Sequence, residues 1–71
     1  MTYTVEELEA LAAAAGVEWD VIDDTKLNYV VNNYIAYFVG HTAQSYGDTK
    51  QEAMNHYWNR YINGEIRRFI R

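Results

Sequence analysis

The chain has 71 residues, a net charge of −4 and no cysteine. Such a length supports one domain with a thin core. Disulfides and thiolate metal sites are excluded, and the acidic balance speaks against general DNA or RNA binding, which runs on phosphate neutralisation.

Aromatic residues make up 15% of the chain, so aromatic packing or self-association has to replace the staple that small chains usually need. The first predicted helix is marked at both ends. Thr4-Val5-Glu6-Glu7 fits the S/T-x-x-E capping box, in which hydroxyl and carboxylate satisfy orphan backbone donors reciprocally. Gly16 suits a left-handed helix end with Val17 following it. The spacing of Val5, Leu8, Ala12 and Ala15 predicts a helix over about 5–15.

Val17 to Val21 alternates apolar and acidic residues, a strand-like signature. A lone strand needs a partner, so the reading is an extended linker that drops Val17, Trp19 and Val21 or Ile22 onto the core. Next comes an apolar stripe at Leu27, Val30, Val31, Tyr34, Ile35, Phe38 and Val39. It predicts a second helix over 25–40, or 25–46 if it runs on to Gly47, capped by Asp24 or Thr25. A strand over Tyr29 to Val39 competes, but both parities are apolar there and Asn32-Asn33 disfavour it.

Thr49 and Glu52 form a second capping box that opens a third helix over 49–62, with Met54, Tyr57, Trp58, Tyr61 and Ile62 as its stripe. Beyond Asn63-Gly64, Ile66, Phe69 and Ile70 are spaced for a short helix over 65–70; a type I′ hairpin at Asn63-Gly64 is the alternative. The expected fold is all-α, a single domain over 1–71 forming a small three-helix bundle with a short C-terminal helical extension. The alternative is α+β with a C-terminal hairpin.

No secretory leader or membrane span is expected. The apolar run Leu11–Ala15 is short, and its flank is acidic at Glu6, Glu7 and Glu9. Cytoplasmic residence is the expectation.

Catalytic chemistry finds little to work with. Ser45 stands four residues after His41, close enough to meet on a helix, but no oxyanion loop accompanies them. His41, His56 and Glu52 are potential metal ligands whose spacing matches no zinc pattern. Gly40, Gly47 and Gly64 read as helix punctuation rather than a phosphate cradle. No enzyme activity, metal or cofactor is expected.

Interaction chemistry is better represented. Tyr29, Asn33 and Tyr37 share a helical stripe away from the core positions, and tyrosine is enriched in binding hot spots. The same residues can equally close the side of a thin core. Residues 1–24 carry Glu6, Glu7, Glu9, Glu18, Asp20, Asp23 and Asp24 with no Lys or Arg. Of these, Glu18, Asp20, Asp23 and Asp24 form either a solvated face or a phosphate-mimicking docking surface. Arg67, Arg68 and Arg71, interleaved with Phe69, are candidate nucleic-acid contacts or the basic end of a helix.

The expected function is a small acidic, non-enzymatic protein-binding module that docks on a larger protein, an inhibitor of the kind phages and mobile elements encode. A self-associating helical subunit, joined through the Tyr29/Tyr37 face or through Ile66 and Ile70, is the second expectation. A weak nucleic-acid binder working through the arginine-rich end is the third. The expected partner is thus a larger protein or another copy of the chain, ahead of nucleic acid, with no membrane.

Overall fold

The computed structural model describes residues 2–23 and 34–69. In chain order it contains α1 (Val5–Ala15), β1 (Trp19–Asp23), β2 (Tyr34–Phe38), β3 (Ser45–Gly47) and α2 (Lys50–Ile62). The strands form one antiparallel sheet in the order β1-β2-β3. The fold is therefore α+β, and the expected all-α three-helix bundle is overturned.

The correction falls on the predicted second helix. Tyr34–Phe38 is the central strand and Ser45–Gly47 the third; residues 25–33 lie outside the described part. A central strand that carries apolar residues on both faces has no alternation, and a short apolar run cannot be told from a helix by periodicity. The strand-like alternation at Val17–Val21 was the better signal. Trp19–Asp23 pairs with β2 in the register Trp19↔Phe38, Val21↔Ala36 and Asp23↔Tyr34.

Both helices begin and end by local rules. Thr4 and Glu7 complete their capping box, with Thr4 N–H donating to Glu7 Oε1 at 2.8 Å and Glu7 N–H to Thr4 Oγ1 at 3.1 Å. Gly16 (φ 74°) ends α1, its N–H donating to Ala13 O while Val17 N–H reaches Ala12 O. In α2, Glu52 N–H donates to Thr49 Oγ1, but the Glu52 carboxylate reaches past the cap to Asp48 N–H, at 2.7 Å.

Among the described residues the predicted C-terminal helix is absent, and so is the hairpin at Asn63-Gly64. Gly64 (φ 83°) closes α2: its N–H donates to Tyr61 O, and Glu65 N–H donates to Arg60 O. The chain leaves α2 extended and is tied to the β2–β3 connection. Thr42 N–H donates to Arg67 O, Phe69 N–H donates to Gly40 O, and His41 bridges Arg68 antiparallel. Backbone pairing with a distant loop, rather than local spacing, decides this segment.

The core lies between the sheet and α2, which contacts all three strands, with α1 against α2. Phe38 is its centre. Its ring lies 4.4 Å from Trp19, 4.9 Å from Tyr57 and 5.0 Å from Tyr61, centroid to centroid. Such aromatic pairs contribute about 0.5–1.5 kcal/mol each beyond area burial, which answers the need for a staple in a chain without disulfides. Leu8, Ala12, Ala36, Ala53, Met54, Trp58 and Ile66 complete the buried cluster. Ile66 thus belongs to the core, its expected companion Ile70 lies outside the described residues, and Ile62, predicted for the α2 stripe, is 56% exposed.

Candidate functional site

Cross-strand partners in an antiparallel sheet share a face. Trp19, Val21, Ala36 and Phe38 point toward the helices and join the core. The complementary set, Asp20↔Tyr37 and Ile22↔Ile35↔Tyr46, forms the outer face. Val39 N–H donates to Glu18 O at 2.9 Å, so the ladder and its alternation carry Glu18 and Val39 onto the same side. Phe69, held by its backbone bond to Gly40, completes this surface.

Among the described residues no helix covers the outer face. Val39, Tyr46 and Phe69 remain 49%, 46% and 57% exposed, and Ile22 is exposed as well. Tyr37, His41, Ala43, Gln44, Tyr46 and Phe69 line a shallow groove of ≈ 440 Å³ at its upper end. Ala43 sits in that rim at φ 68°, the left-handed region that a residue with a Cβ seldom occupies. Among the described residues this face thus combines exposed apolar side chains, an aromatic groove and a strained loop.

Tyr37 and Asp20 give that face its polar anchor. The Tyr37 hydroxyl donates to Asp20 Oδ2 at 2.7 Å across the β1–β2 ladder. This hydrogen bond, then partial loss of hydration, then the carboxylate charge hold the Tyr37 phenol above its ordinary pKa. A protonated, oriented phenol beside a carboxylate gives the groove a fixed hydrogen-bonding edge.

Of the residues singled out in the sequence, Tyr37 and Asp20 are brought together, although on neighbouring strands rather than on a helix. Glu18 is exposed at the same edge of the sheet. Asp23 is exposed at the end of β1, opposite Tyr34 and on the other parity. Tyr29, Asn33, Asp24 and Arg71 lie outside the described residues. Arg67 and Arg68 are exposed on the extended C-terminal segment, so they do not complement a helix end. Tyr46 was not expected as a contact, and Ile22, Ile35 and Val39, expected in the core, lie instead on the outer face with Phe69. Residues 35, 37 and 39 do show the i, i+2 spacing of one strand face, but the equally apolar residues between them concealed it.

Ser45, His41 and His56 are each hydrogen-bonded within the fold. Ser45 Oγ accepts from Arg60 Nη1 at 2.9 Å, a cation where a nucleophile would need a base. His41 is buried with Nδ1 3.1 Å from Val39 O, and His56 Nδ1 lies 3.1 Å from Tyr46 O. Among the described residues no cluster of three His, Cys, Asp or Glu forms a metal site. A polar cleft of ≈ 560 Å³ runs beside the start of α2, lined in part by Asp48, Glu52, Asn55 and His56. Glu52 is occupied by Asp48 N–H there, and Asn55 by backbone groups of Tyr3 and Gln51.

Compared with known proteins, the chain matches no family model, no curated protein and no solved structure. Among the described residues no helix is long and apolar enough to cross a membrane.

Proposed function

We propose that this chain is a non-catalytic protein-binding module whose docking surface is the outer face of its sheet. One observation carries the reading: Ile22, Val39, Tyr46 and Phe69 stand exposed together around Tyr37 on a sheet whose other face is fully used by the core. A face of this composition gains free energy when it leaves water, at about 25 cal/mol per Å² of apolar surface. Tyrosine and phenylalanine supply large, stiff contact area at low entropic cost. The Tyr37–Asp20 pair adds orientation.

Nucleic acid is a poorer occupant. Exposed Arg67 and Arg68 stand on the rim of a chain that carries ten acidic residues against six basic ones, and phosphate binding weakens steeply with so little positive charge. The chain has no cysteine to protect or oxidise, which suits the cytoplasm assigned in this reading.

The test compares three immobilised forms of the chain in native lysate: wild type, Tyr46→Lys on the face, and Ala13→Lys on exposed α1. Docking through the sheet predicts proteins retained by wild type and by Ala13→Lys but lost with Tyr46→Lys. Equal retention by all three removes the face from the proposal.

A further inference from the structure

The outer face is not electrically uniform. Glu18 and Asp20 lie along its β1 side. Arg67 lies on the opposite side, on the segment whose Phe69 shares the groove with Tyr46 of β3. Ile22 follows Asp20 on β1, Ile35, Tyr37 and Val39 run along the central strand and its end, and Tyr46 lies on β3. Acid on one border, apolar residues in the middle and base on the other form a pattern complementary to itself. Rotation by 180° about an axis parallel to the strands turns one copy over onto the other. It lays the β1 border of each copy over the Arg67 border of its mate, and apolar centre on apolar centre.

We propose that the occupant of the outer face is a second copy of this chain, stacked sheet on sheet about such a twofold axis, with Glu18 and Asp20 of each copy facing Arg67 of the other. The inference rests on the outer face being the docking surface and names its partner. Isologous twofold contacts are the commonest oligomeric arrangement, because one self-complementary patch suffices. Aligned sheets stack about 10 Å apart with interdigitated side chains. Burial of one more apolar layer also answers the thin core of so short a chain.

The size of the face sets the strength. Strands ~4.8 Å apart and residues ~3.4 Å along them give this sheet, with two five-residue strands and one of three, a footprint of at most roughly 14 by 17 Å. With side-chain relief and the Phe69 rim, each copy covers on the order of 400–600 Å², below the ~800 Å² per partner of standard stable complexes. A face below standard size fits a weak, concentration-dependent dimer. Added salt is a poor readout, since it screens both the local charge pairs and the repulsion between two chains of net charge −4. Charge reversal reads the pairing itself.

The experiment is sedimentation of the full chain over a concentration series reaching about 1 mM, high enough to populate a weak dimer. Wild type is expected to pass from monomer to dimer. Val39→Lys and Tyr46→Lys, both at exposed positions that leave the core untouched, should each weaken association by about tenfold or more. Glu18→Lys and Arg67→Glu should each weaken it when alone. An equimolar mixture of the two should dimerise about as tightly as wild type, because each reversed charge then meets its opposite.

A wild-type chain that stays monomeric throughout overturns the inference. The docking surface is then judged separately by the lysate comparison, in which Tyr46→Lys must still lose a partner. A dimer indifferent to both Val39→Lys and Tyr46→Lys overturns the inference by placing the contact elsewhere. A mixture no tighter than either reversed chain alone overturns the twofold pairing.

Discussion

Asn55 binds the N-terminal segment through a two-way amide clamp on Tyr3. Tyr3 N–H donates to Asn55 Oδ1 at 2.7 Å, and Asn55 Nδ2 donates to Tyr3 O at 2.9 Å. The same Nδ2 also reaches Gln51 O at 2.8 Å. The side chain is buried on α2, so it acts as one residue of an absent strand for a segment that belongs to no sheet.

Replacement of that amide leaves the Tyr3 backbone donor and acceptor without their partner near a buried surface. Asn55→Ala should destabilise the fold by about 2–3 kcal/mol. For a domain of this size the melting temperature should fall by roughly 10–20 °C. Thermal unfolding followed by circular dichroism checks it. A drop within a degree or two of wild type would mean that water replaces the clamp.

Gly47 is required by close approach. A Cβ built there would lie 2.6 Å from Ala53 N and 3.1 Å from Ala53 Cα. These are backbone atoms of the first turns of α2, which cannot swing aside. Gly47→Ala should cost about 2–3 kcal/mol through displacement of the helix from β3. Gly16→Ala, where a Cβ meets open space and only φ 74° resists, should cost about 1 kcal/mol. Parallel urea titrations compare the two, and the order Gly47→Ala worse than Gly16→Ala is the result to look for.

Ala43 offers a gain. At φ 68° it bears the left-handed strain that glycine escapes. Ala43→Gly relieves about 1–2 kcal/mol of strain and gives back about 0.5–1 kcal/mol to the freer unfolded chain. The expected net effect is a stabilisation of about 0.5 kcal/mol, read as a higher urea midpoint at unchanged slope. Ala43→Val should move the midpoint the other way, since a β-branched residue tolerates positive φ least.

Alkali should loosen the fold through two phenols. The Tyr57 hydroxyl donates to Thr42 O at 2.8 Å, and burial raises its pKa. Tyr37 is raised chiefly by its hydrogen bond to Asp20. A raised folded pKa means that the native state holds the proton more tightly than the unfolded chain does. The associated stability is fully present below the ordinary tyrosine value of about 10 and is lost as pH climbs through the folded values. Tyrosinate absorbance should therefore show late-titrating phenols, and the urea midpoint should fall above pH ~10. Asp20→Asn should return Tyr37 toward the ordinary value while leaving Tyr57 late; an unchanged titration would dissociate the Tyr37 shift from Asp20.

Sequence alone determined what local chemistry controls. The Thr4/Glu7 box and Gly16 mark α1, and Thr49 marks the start of α2, because a helix end is satisfied by residues three or four positions away. Chain length, lack of cysteine and abundance of aromatic residues left aromatic packing or self-association as the staple and favoured the first, and Phe38, Tyr57 and Trp58 pack together in the core. Tyr37 and Asp20 are among the expected contact residues, and the structure joins them by a hydrogen bond across β1 and β2 rather than along a helical stripe.

Only the tertiary structure decided the sheet and everything that rests on it. Trp19–Asp23 has strand alternation but no reason to be a strand until Tyr34–Phe38 pairs with it. Tyr34–Phe38 in turn looks helical because a central strand is apolar on both faces. The segment after Gly64 becomes extended because the loop at Gly40–Thr42 supplies backbone partners that no local pattern can announce. The candidate docking face is assembled from β1, β2, β3 and the C-terminal segment at once. Its residues therefore share a surface in space while their positions in the chain share no period.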